Sequence, residues 1–245
     1  MPLATEQEIQ TSYRDSAVAE RYVANRFESE LMRLLHERQV GVVNRVMASA
    51  RPAATLEIAP GPGRLTRDVH PAGELTCLEY NEAMIEQGRA ACPATVQWVQ
   101  GNAFELPFDA GVFDFAYSFR FVRHFHRDDR GRLYSEVRRV LRPGATFVFD
   151  AVNRVVSEPL RKAHPEGYPI YDKLYGGVDE IRAELAEYGF ELIACEPVQR
   201  RFGLQYRAQI LLGPRSRLLA RAAIRLLERF GGREPLEWIV TCRRA

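Results

Sequence analysis

Cysteine is scarce in these 245 residues: Cys77, Cys92, Cys195 and Cys242 lie far apart, with no CxxC pair among them. That spacing argues against a disulfide framework and against a zinc site. The expected compartment is a reducing cytoplasm. Long apolar runs are lacking as well, and no stretch approaches the roughly 18 residues that a bilayer span needs. The opening MPLATEQEIQTSYRDS has no basic start followed by an apolar segment, so a secretory leader is not expected. Lysine is limited to Lys162 and Lys173. The resulting arginine bias carries no functional weight by itself. No repeat or low-complexity linker interrupts the chain. What is present is ordinary: 46% hydrophobic and 27% charged residues. Those values exclude a disordered chain, a collagen and a coiled-coil rod. The length suits one large domain or one domain with appendages.

The net charge of +2 hides an asymmetry. From Val198 onward there are eleven arginines against Glu228, Glu234 and Glu237, a local excess of +8, so the remainder carries −6. The basic character is a regional feature.

Hydrophobic periodicity organises the rest. Residues 1–52 read as a helical cap, with Leu31, Leu34, Leu35, Val42, Val43 and Val46 at helical spacing and Gln39 interrupting the stripe. Pro52 closes the segment. Residues 53–245 then alternate. Strands are expected at 54–59, 74–80, 95–101, 112–118, 145–152, 190–198 and 236–244. Helices are expected at 64–70, 81–91, 127–141 and 179–189. Strands alternating with helices predict an α/β fold, a mostly parallel sheet with helices on both faces. Such sheets bind ligands outside the carboxyl ends of their strands, at the switch point in strand order.

Four loops therefore draw attention. EIAPGPGR (57–64) offers Gly61 and Gly63, which permit a tight turn and a close approach by a ligand. A plain strand-to-helix turn reads the same way. A third dinucleotide-type glycine is missing, since Thr66 holds its place, and no P-loop lysine follows. Glu79 ends the second strand, 22 residues after Glu57, where a carboxylate can accept from a ribose diol. In GNAFELPF (101–108), Asn102 can both donate and accept at a base edge, and Phe104 can pack on its face. Ser118 and Phe119 end the fourth strand and should face the same cleft. His124 and His126 follow, and either can serve as a general base near neutral pH. Their i, i+2 spacing places them on different helical faces, and no third ligand is near, so no metal site is expected.

Taken in order, EIAPGPGR, LEYNEAMIEQGR, VQGNAFELPF, FDFAYSFRFVRHF and EVRRVLRPGATFVF resemble the class I S-adenosylmethionine-dependent methyltransferases of the small-molecule, type 11 kind, over roughly residues 13–155. The resemblance implies a Rossmann-like seven-stranded sheet whose last strand is antiparallel. It also implies S-adenosylmethionine as cofactor and S-adenosylhomocysteine as product. Glu57, Ala59, Gly61 and Gly63 fall on the family's acid-x-Gly-x-Gly-x-Gly motif, with alanine in place of the first glycine. Glu79 corresponds to the ribose-binding acid, followed by Tyr80 and by Met84 on the adenine side. Asn102 stands where the family usually has Asp, and Ala103 would supply a backbone amide to the ring. Ser118 lies where the family cups the methionine part. In SAVAERYVANRF, Tyr22 and Arg26 would close over the cofactor and reach its carboxylate.

The implied function is methyl transfer to a small-molecule acceptor, at oxygen or nitrogen ahead of carbon, with His124 as the candidate base. Methylation of a membrane-associated quinone or lipid-linked acceptor is the alternative within enzymes. A protein that binds the cofactor without transferring methyl groups is the alternative outside them, kept open by Ala59 and Asn102. A nicotinamide oxidoreductase is disfavoured by Thr66. Residues 153–177 read as a long insertion whose Tyr168, Tyr171 and Tyr175 line an acceptor pocket or simply pack. Residues 214–230 form a basic amphipathic helix: Arg217, Arg221, Arg225 and Arg229 on one stripe, leucines and alanines on the other. It either packs its apolar face on the sheet or contacts an anionic membrane surface or acceptor. Nucleic-acid binding is not expected, because the stripe lacks interleaved aromatics.

Overall fold

The computed structural model describes residues 29–163, 174–230 and 234–245. The first element among these residues is one unbroken helix, α1 (Glu30–Ala50), capped by Ser29, whose side chain accepts the Met32 N–H. Gln39 does not interrupt this helix. It is buried, and its amide oxygen accepts from Arg64 at 2.7 Å, so the polar residue in the stripe has a designated partner.

The strands are β1 (Ala54–Ile58), β2 (Glu74–Glu79), β3 (Gln97–Gln100), β4 (Phe113–Ser118), β5 (Leu141–Asn153), β6 (Leu174–Tyr175), β7 (Phe190–Val198) and β8 (Glu237–Arg244). The helices after α1 are α2 (Glu82–Ala91), α3 (Arg127–Val140), α4 (Arg154–Ala163), α5 (Val178–Glu187), α6 (Phe202–Leu212) and α7 (Arg217–Arg229). The sheet runs β3-β2-β1-β4-β5-β8-β7, with the two-residue β6 beside β5. All pairings are parallel except those of β8, which is antiparallel to β5 and β7. The order reverses between β1 and β4, the topological switch point.

Side chains alternate across the sheet as strand geometry demands. Leu56, Ile58, Ala116, Phe147 and Phe149 face a core completed by Leu133 and Val137 of α3 and Leu185 of α5. Phe115, Tyr117, Val148 and Ile239 face the opposite layer, completed by Leu35, Val42, Val43 and Met47 of α1.

Four expectations are corrected. Residues 64–70 form successive turns rather than a helix. Pro62 lacks an N–H, and Arg64 and Thr66 are drawn to partners elsewhere, on α1 and on Glu57. β5 starts earlier than 145 because a register shift between Phe113 and Phe115 absorbs Pro143 and Gly144. Residues 153–177 are no continuous loop: α4 forms there in spite of Pro159 in its interior, and β6 follows. The helix α6, with little polar patterning and no side-chain cap, was not anticipated.

A buried clasp holds β6 and α5 to α3. Arg130 binds Glu184 through two bonds of 2.7 and 2.6 Å and donates to the Phe125 carbonyl at 2.9 Å. Its guanidinium lies 4.3 Å from the centre of the Tyr175 ring, and the Tyr175 and Tyr134 hydroxyls are 2.9 Å apart. Tyr175 is thus a packing residue, away from the cleft described below. Tyr168 and Tyr171 lie outside the described residues.

Candidate active site

The loops after β1, β2, β3 and β4 converge on one cleft at the carboxyl edge of the sheet. The cleft encloses about 1130 Å³ of free space, its open mouth included. Glu57, Ala59, Gly61, Glu79, Tyr80 and Met84 line it on one side. Asn102, Ala103, Phe104, Phe119 and His124 line it on the other. Gly63 and Ser118 are not part of the lining. A Cβ on Gly63 would stand 2.3 Å from Cys92 Sγ, so this glycine makes room for a thiol. Ser118 is buried and donates its hydroxyl to the Ile58 carbonyl at 2.8 Å, joining β4 to the end of β1. Tyr22 and Arg26 lie outside the described residues.

Glu79 is the junction of three loops. Its carboxylate accepts the N–H of Gly61 at 3.0 Å, of Tyr80 at 2.9 Å and of Asn81 at 3.0 Å. Its carbonyl accepts the Gly101 N–H at 3.1 Å. Burial pushes the carboxyl upward, and the three amides work against that shift. One residue therefore fixes the turns after β1, β2 and β3. The first turn needs left-handed backbone at Gly61, with φ of 59°, and at Ala59, with φ of 55°. Alanine there bears a strain of about 1–2 kcal/mol that the missing glycine would not.

Glu57 points into the layer on the α1 side of the sheet. Its Oε2 accepts from the Thr66 hydroxyl at 2.6 Å and the Tyr117 hydroxyl at 2.8 Å. Desolvation raises its carboxyl to about 7 against the pull of those hydroxyls. Beside it, Arg64 lines the cleft and is held from α1 by Gln39 and His36. Arginine has no acceptor, so His36 Nδ1 accepts at 2.9 Å and its Nε2–H donates to Asp68 at 2.8 Å. Burial and Arg64 together lower the His36 pKa.

The turn after β3 is closed by Asn102, whose Oδ1 accepts the Phe104 N–H at 3.0 Å. The opposite wall is aromatic. Phe104, Phe121 and Phe125 pack edge to face or tilted, with centroids 4.9–6.5 Å apart. Phe121 and Phe125 flank a short 3-10 turn (Val122–His124) anchored by buried Arg123, which binds Asp150 at 3.2 Å and Glu237 at 2.8 Å. The Arg120 N–H donates to the other oxygen of Asp150 at 2.7 Å. His124 is buried on this turn and faces the cleft.

Sequence reasoning did not single out Arg64, Arg120, Phe121 or Phe125. A visible signal was the Phe-x-Phe spacing in SFRFVRHFH. The buried anchor of Arg123, Asp150 and Glu237 joins positions too far apart in the chain to be read from it.

Residues 56–149 match the family model described as a methyltransferase domain. The chain is 32% identical over 111 residues to a demethylmenaquinone methyltransferase of Staphylococcus carnosus (strain TM300), and spans 44% of that relative's length with 44% of its own. Magnesium protoporphyrin IX methyltransferase from Synechocystis PCC 6803, solved with S-adenosylhomocysteine bound, superposes with a TM-score of 0.68. The match has 11% identity and covers 98% of this chain and 100% of that one. A cyclase crystal structure superposes with a TM-score of 0.65 at 18% identity, over 100% of this chain and 98% of that one. At such identities the structural matches show the fold.

Proposed function

We propose that this chain, whose residues 56–149 match a methyltransferase domain, is a class I enzyme that transfers the methyl group of S-adenosylmethionine to a small-molecule acceptor. The observation that carries this reading is the convergence of four strand-end loops on one cleft with Glu79 at their junction. The donor set suits the cofactor. Glu79 retains acceptor capacity for a ribose diol, Tyr80 and Met84 flank the adenine side, and the Ala103 amide meets the ring edge. Asn102 Oδ1 already closes its turn, so its part is chiefly to present that amide. Ala59 and Gly61 let the backbone approach closely. Residues 1–28, with Tyr22 and Arg26, are proposed to complete the enclosure.

When bound, the cofactor supplies an activated methyl on a sulfonium. The protein's task is then to hold two reactants in line and exclude water, an effect worth on the order of 7–11 kcal/mol. No elaborate catalytic constellation is required. The aromatic wall of Phe104, Phe121 and Phe125 supports a flat, apolar acceptor. The relative named for demethylmenaquinone methylation agrees with a quinone-like ring. His124 would take the proton of an acceptor hydroxyl.

The second reading, cofactor binding without methyl transfer, draws on the strained Ala59 and on the cyclase with the same fold. Calorimetric titration with S-adenosylmethionine, S-adenosylhomocysteine and NAD tests the cofactor. Both adenosyl ligands should bind, NAD should not, and Glu79→Gln should weaken binding about tenfold and lower the melting midpoint, because its NH2 faces at least one of the backbone N–H groups that the carboxylate accepts. Absence of adenosyl binding would remove the proposal. Turnover of an aromatic hydroxyl acceptor by His124→Ala, followed across about pH 6–9, then separates a base from a wall residue. An unchanged profile would end the base assignment.

A further inference from the structure

The basic amphipathic helix is oriented against expectation. Two of its four arginines reach toward the protein: Arg221 binds Glu30 at 2.7 Å and Arg225 binds Glu37 at 2.7 Å, both on α1. Only Ala220, Ile224 and Glu228 of α7 are buried. Its leucines face outward, with Leu218 at 74% exposure and Leu219 at 60%. α6 lies antiparallel to it, joined through Gln205 Nε2, which donates to the Ile224 carbonyl and to Glu228. α6 likewise turns Ile210 and Leu211 outward. Eight of the eleven large apolar side chains that the described residues expose belong to α6, α7 and Phe230.

The charge around this face has one sign. Arg207, Arg215, Arg217 and Arg229 are exposed there and make no ion pair among the described residues. Glu228 is the sole acid between 199 and 230, and it is buried against the amides of Gln199 and Arg200. A soluble anion would not need the leucines. A second copy meeting this face about a two-fold axis would bring the two arginine rims together, because such an interface is self-complementary. An anionic bilayer satisfies both features, with aliphatic and aromatic groups entering the acyl boundary and arginines at the phosphates.

We propose that the α6–α7 hairpin is a docking surface for an anionic lipid bilayer. The hairpin springs from the end of β7, the same sheet edge on which the cleft opens. An acceptor dissolved in the bilayer would thereby be delivered beside the site. That consequence rests on the methyl-transfer reading, whereas the docking does not.

The test is co-sedimentation of the full chain with vesicles of phosphatidylcholine, with and without phosphatidylglycerol. Arg221 and Arg225 are left intact, because they bind α1. The protein should pellet with anionic vesicles and stay in solution with neutral ones. Arg217→Glu/Arg229→Glu should lower partitioning by about 25-fold or more. Leu211→Ser/Leu219→Ser should lower it by about tenfold per leucine. Both variants should keep the wild-type melting midpoint and S-adenosylhomocysteine affinity. Failure to pellet, equal binding to neutral vesicles, or undiminished binding by either variant would overturn the proposal. So would a dimer in size-exclusion chromatography that the leucine variant abolishes, which would assign the face to a second copy. Vesicle binding without S-adenosylhomocysteine binding would uphold the docking and end the methyl-transfer reading instead.

Discussion

α1 and α7 are built from the same materials and placed in opposite ways. Each starts at a serine cap, Ser29 or Ser216, and each carries leucines on one side and charges on the other. α1 buries Leu35, Val42, Val43 and Met47 against the sheet, and Leu31 and Leu34 against Ile224 of α7 and Phe202 of α6. α7 meets α1 rather than the sheet: Ile224 packs on Leu31 and Leu34, and beside that small apolar contact α1 presents the acids Glu30 and Glu37. Arg221 and Arg225 therefore turn toward α1, Arg217 and Arg229 stay at the exposed rim, and the leucines point outward. Amphipathic periodicity identifies two faces, and the neighbour decides which one is covered.

The largest expected difference comes from placing one charge on each helix. Val43→Asp buries an unpaired carboxylate in a filled layer and should cost about 4 kcal/mol or more. Leu219→Asp puts an acid in the exposed first turn of α7, where the helix dipole favours it, and should change stability by less than about 0.5 kcal/mol. Urea denaturation of both variants checks the pair. Equal losses would mean that the outer face of α7 is covered in the folded chain.

Buried charge sharpens the contrast next. α7 keeps Arg225 beside Glu37 at the surface, whereas Glu57 is sealed among hydroxyls. Its folded pKa of about 7 lies above the ordinary 4.5, so the folded state holds the proton more tightly. The associated stability is complete below about pH 4.5 and is lost as pH rises through 7, a fall of about 3 kcal/mol. Glu57→Gln should abolish that decline. Parallel stability profiles for the two proteins between pH 4.5 and 8 would contradict the assignment.

The smallest effects concern the contact between the two helices. Arg221→Ala should cost about 1–2 kcal/mol, because the buried Glu30 keeps only the longer Arg33 contact at 3.5 Å. Arg225→Ala should cost less than about 0.5 kcal/mol, since it and Glu37 are both half exposed. Double-mutant cycles with Glu30 and Glu37 measure each coupling. A stronger Arg225 coupling would invert the ranking.

Legibility follows the same division. The first four strands, α2 and α3 were readable because local pattern and turn chemistry agree there, and the loops that form the cleft follow from strand order. The turns at 64–70 were not, because Arg64 and Thr66 answer to Gln39, His36 and Glu57, distant in sequence. α4 was hidden by Pro159 and α6 by its uniform hydrophobicity. Gly63 and Ser118 matched a motif by position, yet their surroundings employ them in packing. The orientation of α7 depends on acids almost two hundred residues away.

The clasp of Arg130, Glu184 and Tyr175 bears on how such a chain can change over generations. It pins the backbone immediately after residues 164–173 to α3, while α4 follows directly from β5. Both ends of that stretch are thus set by the sheet, independently of what lies between. For a flexible connection between two fixed ends, doubling the length costs only about 0.6 kcal/mol. The sequence between those two ends can be lengthened, shortened or exchanged while the strand ends and the glycine turn stay where they are, so this is a place where a lineage can vary without rebuilding the sheet.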